Sequence, residues 1–150
     1  MDIRLVSKEA AWQLRHEVMW PDKEPEYVRI EGDESAAHYG LMDEKRLISV
    51  VSLFKEGSDA HFRKFATATA EQGKGYGTRL LNHVLEAAGE AGATRIYCNA
   101  RTNKAEFYKK FGLASTGQTF AKGGKDYVIM ERRLGASEEP GITNGRDSND

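Results

Sequence analysis

The spacing of apolar and polar positions changes period several times along the chain, and each change marks an element. Ile3-Arg4-Leu5-Val6 alternates as a short strand, and Ser7 follows it as a helix N-cap. Ala11, Leu14 and Val18 recur at helical spacing, with Ala10 widening the stripe, so a helix is predicted to about Met19. Trp20-Pro21 ends it, because proline lacks the N–H the ladder needs and disfavours helix in the residue before it. From Pro21 to about Ala36 the chain is polar and aperiodic, with Pro25, Gly32 and many charges. A loop of that length in a compact domain is often functional, so it reads as a substrate lid or else as a flexible crossover.

Beyond the loop the period becomes that of strands. Ala37 to Met42, Leu47 to Phe54 and Ala60 to Thr67 read as an antiparallel meander, with turns at Asp43-Glu44-Lys45-Arg46 and Gly57-Ser58-Asp59. In the third strand Phe62, Lys64 and Ala66 share one face, and His61, Arg63 and Phe65 the other. A helix is then expected from about Thr78. Leu80, Leu81, Val84, Leu85 and Ala88 form its apolar stripe, and Gly89 and Gly92 close it. Thr94 to Ala100 is the next strand, so strand, helix and strand make a βαβ unit whose strands run parallel with a right-handed crossover. Asn103 is placed as the cap of a second helix, Lys104 to Phe111, ending at Gly112. Leu113 to Phe120 and Asp126 to Arg133 complete the fold around a Gly123-Gly124 turn, with Val128, Met130 and Tyr127 packed. The fold class is α/β (α+β): a mixed, mostly antiparallel sheet of about six or seven strands, flanked by helices and containing one parallel pair.

Composition adds bounds. A chain of 150 residues, 39% apolar and 30% charged, reads as one soluble globular domain. The net charge of −1 makes no case for nucleic acid. In the last stretch Glu138, Glu139, Asp147 and Asp150 stand against Arg146, giving −3 and leaving +2 on the remaining body. Small, polar and without period, residues 135–150 are expected to form a disordered acidic tail, with the folded domain at 1–134. The single cysteine, Cys98, excludes an intrachain disulfide and fits a reducing cytoplasm. Met1-Asp2-Ile3-Arg4 is not followed by a long apolar run, so no signal peptide is expected. No segment approaches the roughly 18 apolar residues of a membrane span.

The densest chemistry is the stretch Glu71-Gln72-Gly73-Lys74-Gly75-Tyr76-Gly77-Thr78, between a strand and a helix start. That arrangement aims free backbone N–H groups at an anion, and three glycines allow the tight turn and close approach. It is not a P-loop, and Gly73-x-Gly75-x-Gly77 lacks the second spacing of a dinucleotide fingerprint. Gln72-x-x-Gly75-x-Gly77 does match the pattern Q/R-x-x-G-x-G/A. A second block, Asn103-Lys104-Ala105-Glu106-Phe107-Tyr108-Lys109-Lys110-Phe111-Gly112-Leu113, follows after the next strand. Together, in this order, the two resemble the acetyl-CoA loop and the N-x-x-A-x-x-(F/Y)-(Y/F) helix of the GNAT acetyltransferase superfamily, over about Ile3 to Leu134. Leu14-Arg15-x-x-Val18, Gly32-Asp33-Glu34 and His38-Tyr39-Gly40 are reminiscent of its ElaA-like branch.

The resemblance implies an N-acetyltransferase that uses acetyl-CoA as co-substrate, a primary amine as acceptor, direct transfer in a ternary complex and no metal. It implies that the fourth and fifth strands splay to admit the cofactor. Gln72, Gly73, Lys74, Gly75, Tyr76, Gly77 and Thr78 would hold the pyrophosphate, with Arg79 a further candidate. The backbone of Phe65, Ala66 and Thr67 would pair with pantetheine, and Asn103, Phe107 and Tyr108 would line the cofactor arm. Tyr108 matches the tyrosine that returns a proton to the departing thiolate, and an unperturbed phenol with a pKa of about 10 is nearly matched to a thiol. A carboxylate four residues before the pantetheine triplet serves some members as base. Here that position is His61, with Glu17, Glu31, Glu34, His38 or a water chain as alternatives. Cys98 reads as a buried strand residue, a ping-pong nucleophile being the other option. The family also admits a homodimer. The alternative function is a catalytically silent acyl-CoA-binding or sensor module on the same fold.

Overall fold

A computed structural model of the chain describes residues 1–134. The acidic tail expected at 135–150 lies outside the described residues. Among the described residues there are seven strands: β1 Asp2–Leu5, β2 Ala37–Asp43, β3 Arg46–Glu56, β4 Asp59–Thr67, β5 Arg95–Arg101, β6 Ala114–Lys122 and β7 Lys125–Arg133. The same residues include three α-helices: α1 Lys8–Met19, α2 Tyr76–Glu90 and α3 Ala105–Lys109. The sheet order is β1-β2-β3-β4-β5-β7-β6, mostly antiparallel, with β4 and β5 parallel. The chain divides into two compact units, and β4 divides between them after His61.

The first unit holds 1–54 and 62–87. Ser7 caps α1 through Ala10 N–H at 3.0 Å. Ala11 and Leu14 then pack on Val50 and Ala66, with Val6, Val18, Met19 and Leu47 around them. α2 covers the other face. Val50 pairs with Gly40 and Val51 with Tyr39, so the two rows point oppositely, and the Tyr39 ring lies 5.8 Å from that of His83 on α2. Arg15, next to Leu14, is 1% exposed and forms an ion pair with Asp33 at 2.8 Å. The same guanidinium reaches Val28 O and Ser52 Oγ. Asp33 also accepts from Trp12 Nε1 and Ile30 N–H. The stretch after Pro21, with a 3₁₀ turn at Pro25–Val28, is therefore tied to α1 and β3, contrary to a free lid or flexible crossover.

The second unit holds 55–61 and the described residues from 88 on. Its parallel ladder pairs Asp59 with Arg95, Ala60 with Ile96 and His61 with Tyr97. β5 pairs along its length with β7. One face carries buried Ala60, Ile96, Cys98, Ala100, Val128 and Met130, and the other carries His61, Arg95, Tyr97 and Glu131. The β6–β7 turn is Gly123-Gly124, with φ +59° and +77°, a left-handed pair suited to a two-residue hairpin.

Three local expectations are corrected. α2 runs to Glu90, so Gly89 lies inside it, and the stop is made by Gly92 (φ +95°) with Ala93 N–H bonding Ala88 O. α2 starts at Tyr76 rather than Thr78. Asn103 caps no α-helix: it sits exposed in a 3₁₀ turn, Thr102–Lys104, and α3 has Lys104 at its N-cap with no side-chain bond.

Candidate active site

In the first unit the glycine loop is built by two different demands on glycine. Gly73 and Gly75 have φ of +80° and +85° with open space around them, so what they supply is left-handed backbone. Gly77 is needed for closeness: a Cβ there would meet Phe65 Cζ at 3.0 Å and Thr67 Oγ1 at 3.4 Å. This packs the first turn of α2 against the end of β4. Gly75 O accepts from Arg79 N–H at 3.1 Å, the first bond of the helix. The N–H groups of Tyr76, Gly77 and Thr78 therefore have no carbonyl of their own helix to reach.

Side chains hold the loop in place. Gln72 Nε2 donates to Thr67 O at 2.9 Å. Ser49 Oγ lies 2.8 Å from Thr67 Oγ1 and donates to Ala66 O at 3.2 Å. Gln72, Phe65, Thr67 and Gly77 are thus brought together, while Ala66 points to the opposite face, into the α1 core. Lys74 Nζ pairs with Glu71 at 3.1 Å, and Arg46 holds the same carboxylate at 2.8 Å. Arg79 reaches Met1 O at 3.4 Å. Sequence reasoning missed Ser49 as an anchor, and missed Lys64, whose φ of +58° is left-handed backbone just before Phe65. A lysine inside a strand pattern carries no signal for a left-handed backbone.

In the second unit Tyr108 is half-buried on α3, its ring 5.2 Å from that of Phe107, which in turn packs on Phe111. Burial pushes its phenol well above the ordinary value, and the charge of a Cys98 thiolate would push it the same way. The expectation of an unperturbed phenol is thereby corrected. Burial likewise raises the Cys98 thiol, to about 12, which leaves it protonated and a poor nucleophile.

His61 lies on the opposite face of the β4–β5 pair from Cys98, so His61 and the Tyr108 side of the unit are not brought together. Its ring stacks on Tyr97 with centroids 4.2 Å apart and planes 15° from parallel. The alternative bases fare differently. His38 is buried between Ser52 Oγ at 2.7 Å and Asp33 O at 3.0 Å, which gives it a structural role. Glu17 and Glu31 are exposed, and exposed Glu34 pairs with Lys8. Among the described residues no group of three or more His, Cys, Asp or Glu is placed to hold a metal ion, and no helix is long and apolar enough to cross a membrane.

The first unit thus holds a strand–glycine loop–helix start, and the second a tyrosine-bearing helix beside a parallel strand pair. The family model of the acetyltransferase (GNAT) domain matches residues 5–134, and the chain belongs to the GNAT acetyltransferase family. That membership makes it an N-acetyltransferase by class. An uncharacterized N-acetyltransferase of Bacillus subtilis, YitI, is 26% identical over 147 residues, covering 91% of this chain and 99% of the relative. The crystal structure of a Lactobacillus plantarum protein assigned by similarity as an N-acetyltransferase superposes with a TM-score of 0.77 at 20% identity, covering 89% of this chain and 99% of that one. Escherichia coli ElaA superposes with a TM-score of 0.75 at 18% identity, covering 88% and 99%. Matched structures include complexes with coenzyme A and with acetyl-CoA.

Proposed function

We propose that the chain moves the acetyl group of acetyl-CoA to a primary amine by direct transfer in a ternary complex. The observation that carries this reading is the start of α2. Two left-handed glycines, Gly73 and Gly75, lead into three N–H groups at Tyr76, Gly77 and Thr78 that lack helical partners. The partial positive charge of a helix N-terminus suits a pyrophosphate. In this reading Phe65, Ala66 and Thr67 offer main chain to pantetheine as an added strand would, and a backbone N–H at Phe65 or Ala66 faces the oxyanion. Gln72 keeps the loop against β4 through Thr67, Lys74 adds charge beside the loop, and Asn103 and Phe107 attend the cofactor arm.

The chemistry balances as follows. A neutral amine attacks the thioester carbonyl, the C–N bond forms and the C–S bond breaks. The thiolate takes the Tyr108 proton, and the new ammonium group loses a proton to His61 directly or through water. The raised phenol of Tyr108 is a weaker acid than a free one, yet Cys98 shows that a thiol in the same surroundings is raised too. A departing thiolate that shares this burial is a correspondingly stronger base, so donor and acceptor stay matched. The domain in this reading is residues 1–134 with an acidic segment at 135–150, and the single buried Cys98 suits a cytoplasmic setting.

The test is thiol release from acetyl-CoA over an amine panel of spermidine, tyramine, kanamycin and a lysine peptide, beside thermal melts with acetyl-CoA. Turnover of at least one amine, with acetyl-CoA raising Tm, is expected. Stabilisation with no turnover in any such panel replaces this reading with a silent acyl-CoA-binding module, and no stabilisation removes both.

A further inference from the structure

The stack of His61 on Tyr97 is one end of a longer arrangement within the second unit. Tyr97 is the register partner of His61 across the parallel pair, so the two side chains leave the same face side by side. The Arg95 guanidinium lies 4.6 Å from the Tyr97 ring centroid. Arg95 is in turn held by Glu131, through its Nε, and by Asp59 at 3.3 Å, through its Nη1. Glu131 is the register partner of Tyr97 on the far side, in β7, and Asp59 that of Arg95 in β4. Three strands therefore contribute to one chain of fixed groups: Glu131 and Asp59 hold Arg95, Arg95 rests on Tyr97, and Tyr97 rests on His61.

Each link restricts a rotation. A guanidinium bound by two carboxylates loses most of its rotamer freedom, and its planar face is well suited to an aromatic ring. A ring pinned on one contact offers a fixed platform to the next, and offset stacking favours near-parallel planes at this spacing. A strand-borne imidazole without such a platform is free to turn about its last side-chain bond, which swings both nitrogens. General-base work needs one nitrogen held within hydrogen-bond reach of the proton it takes.

We infer that Tyr97, locked by Arg95 with Glu131 and Asp59, is a positioning residue that sets the orientation of the His61 imidazole for proton removal from the acceptor amine. This rests on the proposed acetyl transfer and deepens it.

The experiment separates the two layers. With an amine from the panel that turns over, kcat and the KM for acetyl-CoA are measured for wild type, His61→Ala, Tyr97→Leu, Tyr97→Phe and Arg95→Met. Tyr97→Leu is expected to lower kcat by about tenfold with the KM for acetyl-CoA unchanged, Tyr97→Phe to rescue most of that loss, and Arg95→Met to fall between. Tyr97→Phe keeps the ring, so a fold defect and a positioning defect give different patterns. If His61→Ala lowers kcat but Tyr97→Leu and Arg95→Met do not, positioning by Tyr97 is wrong and the base assignment survives. If His61→Ala leaves kcat unchanged, the base assignment and this inference fall together. Aromatic NMR reads the stack without turnover. The His61 ring protons are expected upfield in wild type and Tyr97→Phe and at ordinary positions in Tyr97→Leu, and ordinary positions in wild type overturn the inference.

Discussion

Arg15 Nη1 lies 2.8 Å from Asp33 Oδ2, and both side chains are almost wholly removed from solvent. An arginine on the buried face of α1 is thus neutralised by a carboxylate from the following loop, and this pair decides where that loop sits. Asp33→Asn leaves the guanidinium buried without its counter-charge and is expected to cost about 3 kcal/mol, or roughly 10 °C in Tm. Replacing both partners, as Arg15→Met with Asp33→Leu, should recover only part of this. Trp12 Nε1 and Ile30 N–H also donate to Asp33 and would be left without an acceptor. Full recovery by the double variant in thermal melts would count against this account.

The same carboxylate gives the molecule an acid-sensitive point. Burial alone would raise the Asp33 pKa, but donation from Arg15, the Ile30 N–H and Trp12 outweighs it and holds the group at about 2, below its usual 3.8. A group whose folded value is depressed stabilises the fold fully above its unfolded value and loses that contribution as pH falls through the folded one. Stability from Asp33 should therefore be constant above about pH 5 and drain away between about pH 4 and pH 2. Melts of wild type and Asp33→Asn across this range are expected to converge in acid. A gap that stays constant down to pH 2 would assign the stabilisation to something other than this charge.

The loop glycines should separate by mechanism. Gly75→Ala forces a methyl-bearing residue to φ +85° and is expected to cost about 1–2 kcal/mol in backbone strain. It would also disturb the N–H groups that follow. Gly77→Ala keeps a backbone conformation open to any residue and brings its methyl against the end of the Phe65 ring and the Thr67 hydroxyl, a contact that a shift of a few tenths of an ångström relieves. The KM for acetyl-CoA should rise about tenfold or more in Gly75→Ala and only a few-fold in Gly77→Ala. The reverse order in steady-state kinetics would mean that packing on β4, not backbone conformation, limits the loop.

Tyr108 should show its raised pKa as an absence of titration. With the phenol held above its ordinary 10, the wild-type kcat has no alkaline fall attributable to Tyr108 below about pH 10. Tyr108→Phe is expected to reduce kcat by about 10–100-fold while acetyl-CoA still raises the Tm. Unchanged kcat in Tyr108→Phe removes the tyrosine as the acid.

Much of the framework is legible in the sequence because it is written in local spacing. The α1 stripe at Ala11, Leu14 and Val18, the Ser7 cap and the Gly123-Gly124 turn each depend on residues within a few positions of one another. The parallel β4–β5 pair is legible for a similar reason, since a helix between two strands permits little else. What escapes depends on partners distant along the chain. Arg15 looks like a surface charge on a helix until Asp33 is brought to it by a loop that has no period. His38 looks like a free titratable group until Ser52 and Asp33 O enclose it. Asn103 has the composition of a cap, but a 3₁₀ turn takes up its position and moves the helix start past it. Lys64 adopts a conformation that its type does not announce. On the candidate site, the glycine positions were readable, while the stacking partner of His61 required the register of two strands that meet only in the fold.

The glycine loop also has a consequence for how this protein can diverge. A cofactor held by main-chain N–H groups is held by the course of the backbone, and few side-chain identities along Gln72 to Thr78 are needed to preserve it. In the acetyl-CoA reading, donor recognition survives sequence drift as long as the left-handed glycines survive. In the same reading the acceptor meets side chains, so substitutions on that side are expected to change which amine is accepted while the donor stays the same.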